Sequence, residues 1–197
     1  MTTAPDLLVP NAMRLAEYAH RQHDHRRKAP PGEDRPAYFL HLTEVAWLLL
    51  DGGVRDDELI AAAFLHDIIE DCDYDEIRLA AAAGSSRVAA LVAAVSEPDK
   101  GHGWEARQRC YRERLAALND PAILALSCAD KTSNLTDMNR LMARGHEVDS
   151  FTKRGFDAQQ AKFEALDRLF QGRVPERLYR RFEKALAEFR KRGRAAD

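Results

Sequence analysis

Apolar residues recur at helical spacing along nearly the whole chain. Leu42, Val45, Ala46 and Leu49, for example, follow the i, i+3, i+4, i+7 pattern of one helix face. No run of alternating apolar and polar residues bounded by hairpin turns competes with this pattern. The sequence therefore predicts an all-α fold.

Capping residues and glycines divide this pattern into separate helices. We expect helices to begin after Asn11, Asp57 and Asp120, the last because a proline follows it at the first helical position. Glycines at 52–53 and at Gly84 are expected to end two of the helices.

The second half of the chain continues the helical pattern. Residues 96–103 predict a loop, and a charged helix is expected over 104–118. Two amphipathic helices near the C-terminus, rich in phenylalanine and leucine, are predicted to be packing elements, and the basic tail after them is expected to fray. The length of 197 residues and an apolar content of 45% fit a single domain over 1–197.

Two of the predicted helices carry polar residues on their buried faces. Leu59, Ala62 and Ala63 lie on one apolar stripe, and His66 is next in the same register. In the helix that follows Asp120, the inward face continues from apolar residues into three polar ones, Ser127, Asp130 and Asn134. Polar groups on a core-facing stripe need partners because their unpaired burial is costly.

The segment HDIIED at 66–71 places an imidazole and three carboxylates at one helix end. His66, Asp67, Glu70 and Asp71 project toward one side.

His41 and Asp130 are isolated polar residues on apolar stripes elsewhere, and either of them alone fits a structural role. Together with His66 and Asp67 they make two imidazoles and two carboxylates. This set suits Mn, Fe, Co or Zn in a site with open positions for water and substrate.

A second group of histidines offers a competing metal site. The spacing puts His20 and His23 on one helical flank but turns His25 away, so we expect this group to be exposed to solvent. His102 and His146 lie next to glycines in predicted loops and have no evident partners.

Charge and cysteine content exclude several classes of function. Thirty Lys and Arg against 32 Asp and Glu leave a formal charge of -2, so no basic field predicts nucleic acid or an anionic membrane as partner. Cys72, Cys110 and Cys128 share no short metal-ligand spacing and are expected to be reduced, buried thiols. No apolar run is long enough to span a bilayer. We therefore expect a soluble, cytoplasmic protein, and the sequence leaves the oligomeric state open.

The order of these motifs resembles a known family. His41, HDIIED at 66–71 and ADKTSNL at 129–135 are similar to the motifs of the HD-domain phosphohydrolases, in particular the alarmone hydrolases of the RelA/SpoT and metazoan SpoT homolog group. RRK at 26–28, AYFLH at 37–41 and the segment 88–100 extend the similarity. The resemblance covers about residues 12–142, leaves 143–197 as a helical extension, and implies an HD-type helical bundle.

The resemblance also implies an activity and its residues. It implies a manganese-dependent hydrolase that removes pyrophosphate from the 3′ position of guanosine tetra- or pentaphosphate. The metal would be held by His41, His66, Asp67 and Asp130, and catalysis would use Glu70 and Asp71 to orient water and accept its proton. Substrate-binding residues would be Arg27, Lys28, Tyr38, Lys131 and Asn134.

Three positions depart from the family pattern. Leu42 stands where the family has proline, which leaves the metal residues unaffected. Ser127 replaces a lysine and Thr136 replaces an arginine, so two cations that would neutralise substrate phosphates are missing. The cations expected to compensate are Lys100, Lys131, Arg107 and Arg109.

Two alternatives to alarmone hydrolysis therefore stay open. One is an HD phosphohydrolase for another nucleotide, such as a nucleoside monophosphate or NADPH. The other is a module that senses a nucleotide without turning it over. Glu70 and Asp71 are both retained, which favours catalysis over sensing.

Overall fold

The computed structural model describes residues 7–30, 32–97, 101 and 103–193. Within these residues the chain forms eleven helices and no strand, and an isolated antiparallel bridge pairs Arg26 with Ala37. The predicted all-α fold is confirmed. The helices are α1 Leu8–Gln22, α2 Phe39–Asp51, α3 Asp57–Leu65, α4 Ile68–Asp71, α5 Glu76–Ala83, α6 Ser86–Val95, α7 Trp104–Leu118, α8 Pro121–Ala143, α9 Val148–Phe151, α10 Phe156–Phe170 and α11 Glu176–Gly193.

Two central helices organise the core. Every residue from Leu59 to Leu65 in α3 is buried, and this helix packs against α1, α2 and α6. Helix α8 packs along α11 and α2. A helix that is apolar on all sides has to lie inside the protein, so α3 brings whatever follows it into the interior.

Most predicted helix ends are confirmed, with small shifts. The N-cap of α3 is Asp56 rather than Asp57, and its carboxylate accepts hydrogen bonds from two backbone N–H groups of the first turn. Asp120 caps α8 as predicted. The prediction for Asn11 was wrong because α1 already begins at Leu8. Proline is tolerated in a first turn, so Pro10 does not block this earlier start.

The C-terminal helices pack as predicted, through stacked and edge-on phenylalanine rings. They are not only packing elements, however, because α10 also carries Lys162 to the neighbourhood of the candidate site. The short helix α9 was not predicted. Its four residues are too few for helical periodicity to register.

Several surface predictions need correction. Cys72 and Cys128 are buried thiols, but Cys110 is exposed. His146 is not without a partner, since its Nε2 lies 2.9 Å from a carboxylate oxygen of Glu33. Lys100, His102 and the end of the basic tail from residue 194 lie outside the described residues. No helix in the described ranges combines the length and apolar character needed to cross a membrane.

Candidate metal centre

Four predicted metal residues meet at one point in the core. His41 lies in the first turn of α2, His66 and Asp67 lie between α3 and α4, and Asp130 lies in the middle of α8. The Nε2 atoms of the two histidines are 3.2 Å apart. Asp130 Oδ1 lies 3.2 Å from Nε2 of His41, and Asp67 Oδ2 lies 3.0 Å from Nε2 of His66. The fold thus brings together residues separated by up to 89 positions in the chain.

A break in the helix allows neighbouring residues to share this point. The segment 66–71 is not one continuous helix, because α3 ends at Leu65 and α4 begins at Ile68. Adjacent side chains of an unbroken helix point about 100° apart. The turn at His66 and Asp67 removes this restriction, and both side chains face the cluster.

Both imidazoles are oriented by a hydrogen bond on their far side. His66 Nδ1 lies 2.9 Å from the carbonyl oxygen of Ala63, to which only an N–H can donate. His41 Nδ1 lies 2.9 Å from Ser133 Oγ, and this hydroxyl donates to Glu44 Oε2 at 2.8 Å. In the neutral imidazoles these bonds hold the proton on Nδ1, so both Nε2 lone pairs point into the cluster.

The resulting donor set fits a divalent cation. Two imidazole lone pairs and two carboxylate oxygens are all acceptors, and their burial at close range is unfavourable without a positive charge among them. Without metal, a proton supplies that charge. Burial alone would lower the pKa of His66, but the charge of Asp67 and the bonds with Asp130 and Asp67 outweigh burial and raise this pKa well above its usual range. Mixed nitrogen and oxygen ligands of this kind suit Mn, Fe, Co or Zn.

Three predicted substrate-binding residues contact the carboxylates of the cluster. Lys131 Nζ donates to Asp130 Oδ2 at 2.6 Å, and Asn134 Nδ2 donates to Asp130 Oδ1 at 2.6 Å. The Tyr38 hydroxyl donates to Asp67 Oδ2. In this structure they therefore orient the carboxylates of Asp130 and Asp67, and their contacts with a substrate stay predictions.

Glu70 and Asp71 both lie on α4, next to the cluster and partly buried. Glu70 Oε1 accepts a hydrogen bond from the backbone N–H of Glu97 at 2.7 Å. Burial, and then the negative charge of Asp67, raise the pKa of Glu70 to about 7. A carboxyl group with such a pKa can exchange a proton near neutral pH.

Arg27, the middle residue of the RRK segment, is largely buried and is not part of a solvated basic turn. The Arg27 side chain is 12% exposed; its Nε donates to Asp137 Oδ2 at 2.7 Å and its Nη1 donates to Asn134 Oδ1 at 3.3 Å. Lys28 is exposed and lines, with Arg27 and His41, a cavity of about 240 Å³. Both predicted basic residues are thus connected to the metal centre, Arg27 through Asn134 and Lys28 through the cavity.

Two charged residues near the site, Lys162 and Glu97, were missed in the sequence. Lys162 Nζ lies 3.9 Å from Glu97 Oε1, and Arg107 Nε lies 3.7 Å from Glu97 Oε2. Burial, and then the nearby charge of Lys131, lower the pKa of Lys162 to about 8. In the sequence, Lys162 directly precedes Phe163, which belongs to the apolar stripe of its helix. This neighbour was the only sequence signal that could have drawn attention to Lys162.

Ser127, at the position where the family has a lysine, contacts a tyrosine. Ser127 is fully buried, and its Oγ lies 2.7 Å from the hydroxyl of Tyr111. Lys131 Nζ lies 5.1 Å from the Tyr111 ring centroid, so a cation is still present near this position. Of the other expected substitutes, Arg107 lies beside Glu97, whereas Arg109 is exposed on α7.

Comparisons with known proteins show to which family the chain belongs. The family model described as HD domain matches residues 12–156. The human guanosine-3′,5′-bis(diphosphate) 3′-pyrophosphohydrolase MESH1 is 34% identical over 71% of this chain and 77% of its own length. A guanosine-3′,5′-bis(diphosphate) 3′-pyrophosphohydrolase of Vibrio cholerae is 37% identical over 58% of this chain, but the match spans only 17% of that longer protein.

A solved structure gives the same result for the fold. It is described as a metazoan ortholog of SpoT that hydrolyzes ppGpp and plays a role in starvation responses, and it superposes with a TM-score of 0.75. The superposition covers 97% of this chain and 98% of the other at 26% identity. With the family model matching 145 of 197 residues, this chain belongs to the HD domain family.

Proposed function

We propose that this chain is a metal-dependent phosphohydrolase that removes pyrophosphate from the 3′ position of guanosine 3′,5′-bis(diphosphate). The observation that carries the proposal is the convergence of His41, His66, Asp67 and Asp130, with both imidazoles oriented by bonds on their far side. The relatives named for this reaction supply the choice of substrate.

The four converging residues would hold one divalent cation, for which we propose manganese. When bound, the cation supplies Lewis-acid chemistry, in that it stabilises charge on a phosphate oxygen and makes water a stronger nucleophile. Asn134 and Lys131 hold the Asp130 carboxylate in place, and Tyr38 does the same for Asp67. These contacts reduce the reorganisation that substrate binding and reaction would otherwise require.

Glu70 is the residue we assign to proton transfer. Its carboxyl group is held by the Glu97 N–H, and its pKa of about 7 lets it accept a proton from water at neutral pH. Asp71 follows it on the same short helix and is proposed to orient the water. No covalent nucleophile is needed for this hydrolysis.

The charged surroundings of the site support a polyanionic substrate. Lys131 and Lys162 lie near the cluster, and an adjoining groove of about 890 Å³ is lined by further cations, Lys28, Arg107 and Arg154 among them. A nucleotide with two diphosphate groups carries more negative charge than a nucleoside monophosphate. The cations therefore offer a replacement for the charges that Ser127 and Thr136 do not supply.

The three free thiols fit a reducing compartment, and we propose a cytoplasmic location on this basis.

A competition experiment tests the proposed substrate. Metal-stripped protein is reloaded with manganese and given equal concentrations of guanosine tetraphosphate, a nucleoside monophosphate and NADPH, and the products are identified by mass. We expect guanosine diphosphate and pyrophosphate to form first. A tenfold preference in kcat/KM for a competitor would reject alarmone hydrolysis as the main activity, and binding of the tetraphosphate without any product would support a sensing role.

A further inference from the structure

A second group of metal-ligating side chains lies on the other side of Tyr38. It consists of His20, His25 and Cys72, whose ligand atoms all lie within 4.8 Å of one another. The two Nδ1 atoms are 3.0 Å apart, and Cys72 Sγ lies 3.8 Å from Nδ1 of His20. The Tyr38 ring packs on His20 with 4.8 Å between ring centroids.

The backbone turn after α1 creates this group and overturns the expectation of an exposed histidine cluster. Helical spacing would turn His25 away, but α1 ends at Gln22 and Asp24 adopts a left-handed conformation with φ of 47°. The chain doubles back, and the backbone N–H of His25 donates to the carbonyl of His20 at 2.9 Å. The two rings come to lie side by side, tilted by 55° with 5.2 Å between their centroids. His20 is 2% exposed, against the expectation, whereas His23 is exposed as predicted.

We propose that His20, His25 and Cys72 form a second metal site, distinct from the catalytic centre, that binds zinc. Two imidazoles and one thiol are the ligand types that zinc prefers, and three protein ligands leave one position open. In a tetrahedral zinc site the ligand atoms lie roughly 3.3 to 3.6 Å apart, given bond lengths of about 2.0 to 2.3 Å. The observed separations of 3.0 and 3.8 Å lie within about 0.3 Å of this range.

The Nδ1 atoms of His20 and His25 lie at hydrogen-bond distance, so a single proton between the two neutral rings leaves one Nδ1 with a lone pair. The buried Nε2 of His20 has no hydrogen-bond partner within the part of the chain that the structure describes, so it fixes neither tautomer of this ring. Burial, which here outweighs the charge of Asp67, lowers the pKa of His20 to about 4, and the ring is neutral at physiological pH. A neutral ring with a free Nδ1 lone pair is the form that binds metal.

The alternative role for Cys72, as a reactive thiol, fits poorly. Burial, and then the charges of Asp71 and Asp67, raise the pKa of the Cys72 thiol to about 12. A protonated, buried thiol is a weak nucleophile. Zinc binding would form the metal–sulfur bond and release the thiol proton to solvent, as metal coordination deprotonates cysteine in other sites.

The site has an entrance and a connection to the catalytic segment. A surface cavity of about 140 Å³ is lined by His20, His25 and Tyr38, which gives an ion access from solvent. Cys72 is the residue directly after α4, the helix of Glu70 and Asp71. A bound zinc would therefore join the end of α1, the turn before the RRK segment and the end of the catalytic helix.

Cobalt substitution tests this site separately from the catalytic one. Metal-stripped, reduced full-length protein is titrated with Co²⁺, and the ultraviolet charge-transfer band from sulfur to cobalt is recorded together with the metal content. The catalytic centre contains no sulfur, so this band reports only the second site. We expect two cobalt ions per chain, a sulfur-to-cobalt band in the wild type, and loss of the band when zinc is added.

Matched variants distinguish the second site from the catalytic centre and from the other two cysteines. Cys72→Ala and His25→Ala should each lose the band and one cobalt ion, whereas Cys110→Ala and Cys128→Ala should keep both. His25 is partly exposed, so its variant remains informative if Cys72→Ala fails to fold. Asp130→Ala should lose the other cobalt ion and keep the band. A wild-type protein with one cobalt ion and no sulfur band would overturn the second site while leaving the catalytic proposal intact.

Discussion

Two clusters of histidines lie on either side of Tyr38, and they are built differently. In the first, His41 and His66 each have their far nitrogen bonded to an acceptor, and two carboxylates complete the set. In the second, the far nitrogen of His20 has no partner among the described residues, and the third ligand is a thiol. Ligands that are already oriented lose less freedom on binding an ion. The difference teaches that the supporting hydrogen bonds, rather than the histidines alone, distinguish the proposed catalytic site.

The largest expected effect separates the two clusters directly. Asp67→Ala and His66→Ala should lose the metal of the first cluster and reduce turnover to background, because each removes a proposed ligand. Turnover and metal per chain are measured on the same samples, with Asp157→Ala on the exposed start of α10 as control. Full metal occupancy in either variant would remove that residue from the proposed site.

A second substitution tests the acid–base role within the catalytic segment. Glu70→Gln retains an oxygen that can accept from the Glu97 N–H but cannot take a proton, so turnover should fall about 100-fold while metal stays bound. Cys72→Ser, two residues away but in the other cluster, should cost less. Activity near wild type in Glu70→Gln would exclude Glu70 as the main base and leave Asp71 as the candidate.

A third substitution concerns the lysines that lie near the first cluster. Lys162→Gln should raise KM more than it lowers kcat, since one lost charge-assisted contact weakens substrate binding by about 1.5 kcal/mol, or about tenfold. Charge removal at Lys28 should act in the same direction. Lys191→Gln, on the exposed face of α11, is the matched control, and an equal effect there would mean that only net charge matters.

The smallest expected effect is on stability. Since the pKa of Glu70 is raised from 4.5 to about 7, the folded protein binds more protons than the unfolded chain between these values. Stability from this group is therefore present at low pH and is lost as pH rises through about 7. Metal-free Glu70→Gln should melt at a higher temperature than the wild type at pH 8 and lose this advantage at pH 4. An advantage of equal size at both pH values would refute the raised pKa.

The sequence was sufficient for the fold class and for naming the residues of the first cluster. Helical periodicity, the cap at Asp120 and Gly84 at the end of α5 depend on neighbours within a few positions, so local pattern predicts them. His66 and Asp130 were visible because a polar residue on an apolar stripe is unusual.

The sequence did not by itself determine which distant groups meet, and for this the tertiary structure was decisive. The local pattern placed His25 on the wrong side because it could not predict that α1 ends at Gln22 and that Asp24 turns back. Lys162 and Glu97 come together only through the packing of α10 against α7 and α8, across a separation of 65 positions. The physical reason is that periodicity reports which face of a helix is buried, whereas the contacts made by that face depend on how all the helices pack at once.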